Sequence, residues 1–351
     1  MAGVYGPARR LRLPLLLLAL LAASCAPGRT PSPAIAAVAP PQTVVTAPIT
    51  TGPDQLLPLP DGPAAFDAIS AALRQARHSI QLELYEFQRL DLAAMLLDAH
   101  DRGVAVTAIK DPSERSSRTV WAELEQGGVH VLGFPIERLT IDHVKLLIVD
   151  GAQAIVGGIN WGTASARNHD FDVLATGPVV ANLERVFLQD LALSGEPAVI
   201  PPPAPDRGIQ VLVTHPGDGI RAAALAAIAV ARDSIDVEMF VLSDQLVVDG
   251  LAAASHRGVR VRALLDPTQP QNADAMAVLQ AAGASVRYYA QAGDELLHAK
   301  LGIFDGTTVL FGSCNWSRSG FTRNHELDLL IRDQSLARVF LSRVDGDWAG
   351  V

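Results

Sequence analysis

Lysine is scarce in this chain of 351 residues, which contains only Lys110, Lys145 and Lys300. The formal net charge is −9, because 28 lysines and arginines stand against 37 acidic residues. Proteins that follow a long nucleic-acid track depend on Lys and Arg contacts to phosphates. The charge balance therefore disfavours nucleic acid as a partner.

Cysteine is rarer still, with Cys25 and Cys314 alone. If Cys25 is lipidated or removed, Cys314 has no intramolecular partner, and the chain then has no disulfide framework. No Cys/His group has the spacing of zinc ligands, and no Walker-type glycine loop is present. The sequence therefore gives no sign of a zinc site or a nucleotide-binding loop, and we expect no cofactor.

The chain also lacks an apolar run long enough for a permanent membrane helix, which needs about 20 residues. Its short apolar run, from Leu13 to Leu21, has the features of an export signal over residues 1–24. Arginines precede the run and small residues follow it: Arg9, Arg10 and Arg12, then Ala22, Ala23 and Ser24. Removal of this segment would change the net charge from −9 to −12.

Cys25 follows the small residues directly, as the lipidated cysteine of a bacterial lipoprotein would. A plain secretory signal cut nearby is the alternative. Either way we expect an exported protein, either extracellular or anchored as a lipoprotein at the cell surface or in the periplasm.

Proline-rich segments divide the rest of the chain. Residues 25–60 are rich in Pro, Ala and Thr without an amphipathic period, which predicts a disordered tether. A second proline-rich segment, residues 197–207, predicts a linker between a first half (61–196) and a second half (208–351).

The two halves are copies of one unit. The segment ARHSIQLE at Ala76–Glu83 matches ARDSIDVE at Ala231–Glu238, and RGVAV at Arg102–Val106 matches RGVRV at Arg257–Val261. Both pairs are 155 residues apart. This period is far longer than that of a solenoid repeat, so we expect two similar lobes related by a pseudo-twofold axis.

Helical and strand patterns alternate within each half. Phe66–Ala76 and Leu92–Asp101 have helical spacing, whereas Ser79–Tyr85 and Val104–Ile109 alternate as strands. Further strands around an Asp-Gly turn and a final helix complete the unit. The predicted fold class is mixed α/β, with a sheet flanked by helices in each lobe.

One motif occurs in both halves, as HVKLLIVDGAQAIVGGINW from residue 143 and HAKLGIFDGTTVLFGSCNW from residue 298. Side chains at positions i and i+2 of a strand share a face, so the His and Lys of each copy project together. The candidate site residues are His143, Lys145, Asp150 and Asn160 in the first copy, and His298, Lys300, Asp305 and Asn315 in the second.

These residue types suit phosphodiester chemistry. Fixed Lys and Asn donors can stabilise the negative charge that grows on a phosphoryl group. One imidazole can attack phosphorus to form a phosphohistidine while the other protonates the leaving oxygen. Each histidine then needs a carboxylate that fixes its tautomer. The repeated segments RNHDFD and RNHELD offer Asp170 and Glu326, with Asp172 and Asp328 as weaker candidates.

The two motifs resemble the HKD signatures of the phospholipase D superfamily, and the likeness extends over residues 62–345. The resemblance implies two α/β lobes with the active site at their shared cleft and metal-independent catalysis. It also implies His143 as nucleophile and His298 as general acid. Gly158 replaces the Ser313 of the second copy, which removes one hydroxyl. Because one chain holds both motifs, we expect a monomer.

Four functions remain open. An exported phospholipase D that hydrolyses or transphosphatidylates phospholipids at a membrane surface is the first hypothesis. A nuclease or other phosphodiesterase of the same superfamily is the second, and the negative charge counts against it. The third is a cardiolipin synthase-like transferase, against which the lack of N-terminal membrane helices weighs. A non-catalytic binding protein is the fourth.

Other repeated or charged side chains have no predicted role in catalysis. His169 and His325 repeat between the halves and are interpreted as structural histidines. Glu83, Glu86 and Glu238 lie near strand ends, where residues of a cleft often originate.

Overall fold

The computed structural model describes residues 47–136, 141–215 and 217–351. The predicted export signal (1–24), the predicted lipidation site Cys25 and the tether as far as residue 46 lie outside the described residues.

The first half contains eight strands and four helices within the described residues. Its strands are β1 (Ile49–Thr51), β2 (Asp54–Leu59), β3 (Ser79–Leu84), β4 (Ala105–Lys110), β5 (His130–Gly133), β6 (Lys145–Val149), β7 (Gln153–Gly157) and β8 (Asp172–Thr176). Its helices are α1 (Gly62–Gln75), α2 (Leu90–Asp101), α3 (Arg118–Gln126) and α4 (Val179–Leu193), with a 3₁₀ turn at Ser165–Arg167.

The second half repeats this order without a counterpart of β1. Its strands are β9 (Ile209–Val213), β10 (Ser234–Met239), β11 (Arg260–Leu265), β12 (Ser285–Tyr288), β13 (Lys300–Phe304), β14 (Thr308–Gly312) and β15 (Leu327–Arg332). Its helices are α5 (Gly219–Val230), α6 (Gln245–His256), α7 (Asn272–Ala281), α8 (Arg318–Thr322) and α9 (Gln334–Ala349).

Each half builds one mixed sheet. The strand order is β1-β2-β8-β7-β6-β3-β4-β5 in the first sheet and β12-β11-β10-β13-β14-β15-β9 in the second. Strands β3, β4 and β5 pair in parallel, as do β10, β11 and β12, whereas the other pairs are antiparallel. The predicted mixed α/β fold with two repeated lobes is confirmed.

Three apolar cores hold the described part of the chain together. Two of them lie within one half each, between a sheet and its own helices. The third contains side chains of both sheets and of α4 and α9, including Phe171, Phe187, Phe311 and Phe340. The two halves therefore share a core, and burial of apolar surface fixes their relative position.

The tether predicted for residues 25–60 is wrong for residues 49–59, which form β1 and β2. Strand β2 adds to the first sheet by pairing with β8, and Leu56 and Leu59 enter the apolar cores. Prolines 53, 58 and 60 conceal this strand in the sequence. Strand β1 pairs only with residues 54–56 of β2. Beyond them β2 forms the edge of the sheet, where a proline such as Pro58 is tolerated.

No helix in the part of the chain that the structure describes has both the length and the apolar character needed to cross a bilayer.

The Asp-Gly turns between β6 and β7 and between β13 and β14 tie each hairpin to a neighbouring loop. Asp150 and Asp305 have positive φ angles of 55° and 50°. The Asp150 carboxylate accepts hydrogen bonds from the backbone N–H groups of residues 77–79 at 2.7–3.2 Å. Asp305 does the same for residues 232–234. Both aspartates thus bind the start of the first parallel strand of their half, β3 or β10.

We expect Asp150→Ala to lower the free energy of unfolding by about 1–3 kcal/mol, because three backbone donors lose their acceptor. These hydrogen bonds lower the pKa of Asp150 despite its partial burial. The stabilisation is therefore present above the ordinary Asp pKa and is lost as the pH falls through the folded-state value. Chemical denaturation at pH 7 and pH 3 measures both effects.

Asp150→Asn is the matched control, since Asn tolerates a positive φ and keeps one acceptor oxygen. It should be less destabilising than Asp150→Ala. Equal stability of all three proteins at pH 7 would contradict the structural role.

Candidate active site

The two motifs meet at one buried site between the halves. His143, Lys145, His298 and Lys300 each expose 7% of their surface or less. Beside the larger effect of burial, the charge of Lys300 lowers the pKa of His143 and Lys145, and the charge of Lys145 lowers the pKa of His298. The structure therefore brings together the histidines and lysines that the sequence predicts.

The histidine of each motif is held by a carboxylate from the other half. Nδ1 of His143 lies 2.8 Å from Oε2 of Glu326, and Nδ1 of His298 lies 2.7 Å from Oδ1 of Asp170. A carboxylate at Nδ1 favours the tautomer that carries its proton there and leaves Nε2 as the reactive nitrogen. The predicted orienting residues are thus in place, and their crossed arrangement is a finding of the structure.

Backbone bridges place these carboxylates beside their histidines. The N–H of His143 donates to the carbonyl of His325 at 2.8 Å, and the N–H of His325 donates to the carbonyl of Ile141 at 2.8 Å. On the other side, the N–H of His169 donates to the carbonyl of Leu296 at 2.8 Å. Glu326 follows His325 in the chain, and Asp170 follows His169. The bridges therefore set the backbone position of both carboxylate residues to within one peptide unit.

The two orienting carboxylates have different supports. Glu326 accepts hydrogen bonds from the Ser313 hydroxyl at 2.5 Å and the Asn324 amide at 2.9 Å. At Gly158, the counterpart of Ser313, an added Cβ would lie only 2.6 Å from Oδ1 of Asp170. Gly158 therefore leaves room for Asp170, which is shorter than Glu326. The hydroxyl that the first copy lacks is the one that supports the orienting acid in the second copy.

Burial governs the protonation of the site. It lowers the pKa of His143 to about 4 and that of His298 below its ordinary value, although Glu326 and Asp170 oppose the shift. Burial also lowers the pKa of Lys145 to about 7 and that of Lys300 to about 8. A bound phosphodiester would favour the charged form of all four groups, because an opposite charge within a few ångströms raises the pKa of a base.

The orienting carboxylates remain ionised in spite of burial. Burial alone would raise the pKa of Asp170, but His298 and Lys300 bring it to about 2. Burial likewise raises the pKa of Glu326, and His143, Lys145 and the Ser313 hydroxyl together bring it below the ordinary value.

The motif aspartates are not part of this site. Asp150 and Asp305 lie at the far ends of β6 and β13, five residues from the lysines, which corresponds to roughly 16 Å along a strand. Their carboxylates bind backbone N–H groups, as described above. The prediction that counted them among the catalytic residues is therefore corrected to a structural role at the turns.

Asp172 and Asp328, the weaker candidates for histidine orientation, bind backbone N–H groups instead. Asp172 accepts a hydrogen bond from the N–H of Ile159 at 3.1 Å, and Asp328 accepts one from the N–H of Cys314 at 3.0 Å. These bonds shape the loops that carry Asn160 and Asn315.

Two aromatic side chains that the sequence analysis did not single out flank the site. The Tyr85 ring lies 5.1 Å from the His143 ring, and the Phe240 ring lies 5.0 Å from the His298 ring. Nζ of Lys145 lies 5.3 Å from the Tyr85 ring, and Nζ of Lys300 lies 5.2 Å from the Phe240 ring. The sequence does contain a signal for these two aromatic residues, because Tyr85 and Phe240 occupy equivalent positions of the two copies, 155 residues apart at the end of a strand.

Behind the catalytic residues, His325 and His169 reach across to acids of the opposite half. Nε2 of His325 lies 3.0 Å from Asp190 on α4, and Nε2 of His169 lies 2.9 Å from Asp347 on α9. With Glu83 and Glu238 respectively, each forms a three-residue group that could hold a metal ion by geometry. Neither group contains a catalytic histidine, and an Arg343 guanidinium nitrogen lies 3.0 Å from Nδ1 of His169.

We expect His325→Gln to lower the free energy of unfolding by about 3–5 kcal/mol, because it leaves buried carboxylates without their cation. Burial alone would lower the pKa of His325, but Asp190 and Asp142 raise it above the ordinary value. The stabilisation is therefore complete below the unfolded-state pKa, near 6.5, and is lost as the pH rises through the folded-state pKa.

Unfolding of wild type and variant between pH 5 and pH 9 measures this difference. The exposed His256 on α6 gives the control, His256→Gln, which should follow the wild type at every pH. A His325→Gln defect that does not change with pH would contradict the charged state of the imidazole.

Comparison with known proteins agrees with this geometry. The family described as "Cardiolipin synthase, PLD-like domain" matches residues 69–191 and 224–348, one match in each half. Cardiolipin synthase A of Pseudomonas fluorescens strain SBW25 is 29% identical over 313 residues, which cover 79% of this chain and 65% of the relative. Cardiolipin synthase A of Pseudomonas putida is 28% identical over 320 residues, or 81% of this chain and 66% of the relative.

The chain thus spans slightly less than two thirds of the length of these curated relatives. Among solved structures, the phosphatidylserine synthase of Haemophilus influenzae Rd KW20 has a similar fold. Its TM-score is 0.65 at 12% identity, and the match covers 84% of this chain and 85% of the other. Both matched segments contain the complete His-Lys-Asn set of the motif, and the chain therefore belongs to the phospholipase D superfamily.

Proposed function

We propose that this chain is a phosphatidyltransferase of the cardiolipin synthase type, which transfers a phosphatidyl group from one phospholipid to a hydroxyl of a second. The observation that carries the proposal is the crossed pair of buried histidine–carboxylate contacts, which orients one histidine to attack phosphorus and the other to act as acid and then as base. The sequence analysis ranked hydrolysis first, and the relatives named cardiolipin synthase favour its transferase alternative instead.

In the first step, Nε2 of His143 attacks phosphorus and forms an N–P bond as the P–O bond to the head group breaks. His298 gives its proton to the departing oxygen, which leaves as an alcohol. The low pKa of His143 favours the neutral imidazole that a nucleophile requires. The assignment of His143 as nucleophile and His298 as acid remains a prediction.

In the second step, a lipid hydroxyl attacks phosphorus as the N–P bond breaks. The now neutral His298 accepts the hydroxyl proton, which returns both histidines to their starting states. Lys145, Lys300, Asn160 and Asn315 supply the donors for the phosphoryl oxygens. Burial of the site limits the access of water, which supports transfer to an alcohol over hydrolysis.

The predicted activity can be measured on vesicles of phosphatidylethanolamine and phosphatidylglycerol with the full chain. We expect cardiolipin as the main product, activity in the presence of EDTA, and a loss of at least about 10²-fold in both His143→Ala and His298→Ala. The surface variant His256→Ala should match the wild type.

Three outcomes would contradict the proposal. Phosphatidate as the only lipid product would indicate a hydrolase. Cleavage of single-stranded DNA without lipid turnover would indicate a nuclease. Activity that survives both histidine substitutions would exclude the mechanism.

Asp170→Asn should shift the alkaline limb of the pH–rate profile to lower pH. Asp170 raises the pKa of His298, and an acid with a lower pKa loses its proton earlier as the pH rises. Asp150→Asn is the control, because that carboxyl binds backbone N–H groups at the far end of β6 and is not among the groups that shift the pKa of His298. If both variants keep the wild-type alkaline limb, Asp170 does not act through His298.

The exported location and the lipid anchor at Cys25 also remain proposals. Both agree with a membrane phospholipid as substrate, and neither is needed for the chemistry described here.

A further inference from the structure

The core shared by the two halves contains charged side chains that the catalytic site does not use. Glu83 on β3, Asp190 on α4 and His325 of the second half each expose 1% of their surface or less. One side-chain oxygen or nitrogen of each lies within 4.8 Å of the other two. We call these residues the first trio. Acidic side chains are almost never buried so completely unless a partner balances their charge.

The carboxylate of Glu83 is directed into this core without a protein donor. Its neighbours on the adjacent strands, Ile109 and Leu146, belong to the shared core, and paired residues of a sheet point to the same face. Neither carboxylate oxygen of Glu83 has a hydrogen-bond partner among the described residues. A buried carboxylate in this state requires a proton or a bound cation.

His325 and Asp190 are placed as two ligands of one ion would be. Nε2 of His325 lies 3.0 Å from Oδ2 of Asp190, yet within the described part of the chain neither atom has an aligned hydrogen bond. Neighbouring ligands of a tetrahedral zinc ion are separated by about 3.3 Å, and imidazole and carboxylate are both zinc ligands. The spacing therefore suits joint coordination better than a direct hydrogen bond.

The equivalent trio of the other half has its own cation. It consists of His169, Glu238 and Asp347, and a guanidinium nitrogen of Arg343 lies 3.0 Å from Nδ1 of His169. Arginine can only donate, so Nδ1 accepts and the ring proton lies on Nε2, towards Glu238 and Asp347 at 3.2 and 2.9 Å. This second trio has no free Nε2 lone pair for a metal.

The first trio has an apolar residue at the place of that arginine. Arg343 precedes Asp347 by four residues on α9, and Val186 precedes Asp190 by four residues on α4. A further acid, Asp142, pairs with His325 across a backbone bridge, and its buried Oδ2 is also without a hydrogen bond to any described residue. Three acids thus surround one histidine, which can supply a single positive charge.

Protons neutralise the first trio when no other cation is bound. Burial raises the pKa of Glu83, and the charges of Asp190 and Asp142 raise it further. Glu83 then keeps its proton, and the imidazolium of His325 is the cation, as described above. Metal ligands must be deprotonated, so a divalent ion would replace both protons and restore the charge balance.

We propose that Glu83, Asp190 and His325 form a structural site for a divalent transition-metal ion such as Zn²⁺. Mixed imidazole and carboxylate ligands favour such an ion over Mg²⁺ or Ca²⁺. Two ligands belong to the first half and one to the second, so the ion would join the halves inside their shared core. It would also fix the backbone at His325, whose neighbour Glu326 orients His143. The ion takes no part in the proposed phosphoryl transfer.

The metal content of the purified protein tests the site. The full chain is produced in medium with added Zn²⁺, freed of loosely bound metal by gel filtration and analysed by plasma mass spectrometry. We expect about one zinc ion per wild-type chain and at least about a tenfold loss in both Glu83→Gln and Asp190→Asn, which remove a ligand charge with little change of shape. Asp347→Asn, the matched variant of the second trio, should keep its zinc.

Two further measurements do not depend on how well these variants fold. In the wild type loaded with Co²⁺, the visible absorption should show nitrogen ligation, and His325→Gln should shift its bands because an amide replaces the imidazole. Zinc added to chelator-treated wild type should raise Tm by about 5 °C when its free concentration is about 100 times Kd.

Several outcomes would overturn the site. A wild type that carries no zinc and whose Tm zinc does not change indicates that protons alone neutralise the first trio. Zinc retained in both Glu83→Gln and Asp190→Asn indicates an ion bound elsewhere. An equal loss of zinc from Asp347→Asn contradicts the distinction between the two trios, which rests on Arg343.

Discussion

The contact on which this structure depends is the crossed pair of histidine–carboxylate hydrogen bonds. His143 takes its orienting acid from the second half and His298 takes its acid from the first, at 2.8 and 2.7 Å. Neither half on its own can therefore present a histidine with a fixed tautomer. The shared apolar core and the backbone bridges at His169 and His325 hold the two halves in the one arrangement that completes both pairs.

Burial strengthens these hydrogen bonds, and it also imposes a desolvation penalty on the charged groups. Two lysines, two histidines and two carboxylates lie within one buried site, and each loses hydration there. Opposite charges bring the pKa values of Asp170 and Glu326 below the ordinary values. Burial lowers the pKa values of Lys145 and Lys300. A phosphodiester supplies the negative charge that the bases lack, so the site has its strongest electrostatic complement when substrate is bound.

Much of this site could be predicted from sequence because the duplication gave two independent copies of each signal. His143 and His298, the lysines, the asparagines and the acids Asp170 and Glu326 all recur near an offset of 155. Spacing alone does not indicate which half an acid serves, so the crossing required the fold. The motif aspartates recur equally well, and only their hydrogen bonds reveal that they close turns.

Other elements were hidden because their local chemistry resembles something else. Strand β2 contains one proline and is flanked by two more, a pattern that suggests a tether, and its pairing with β8 depends on residues more than 100 positions away. Tyr85 and Phe240 look like ordinary strand residues until the fold places them against the histidines.

The central claim is that each histidine is controlled from the opposite half, and nitrogen NMR of the histidine side chains tests it most directly. In the wild type at neutral pH, both imidazoles should carry a proton on Nδ1, beside their carboxylates, and His143 should carry none on Nε2. Asp170→Asn should change the resonances of His298 and leave those of His143 nearly unmoved, and Glu326→Gln should do the opposite. If Asp170→Asn instead moves His143, the histidine of its own half, the crossed arrangement is wrong.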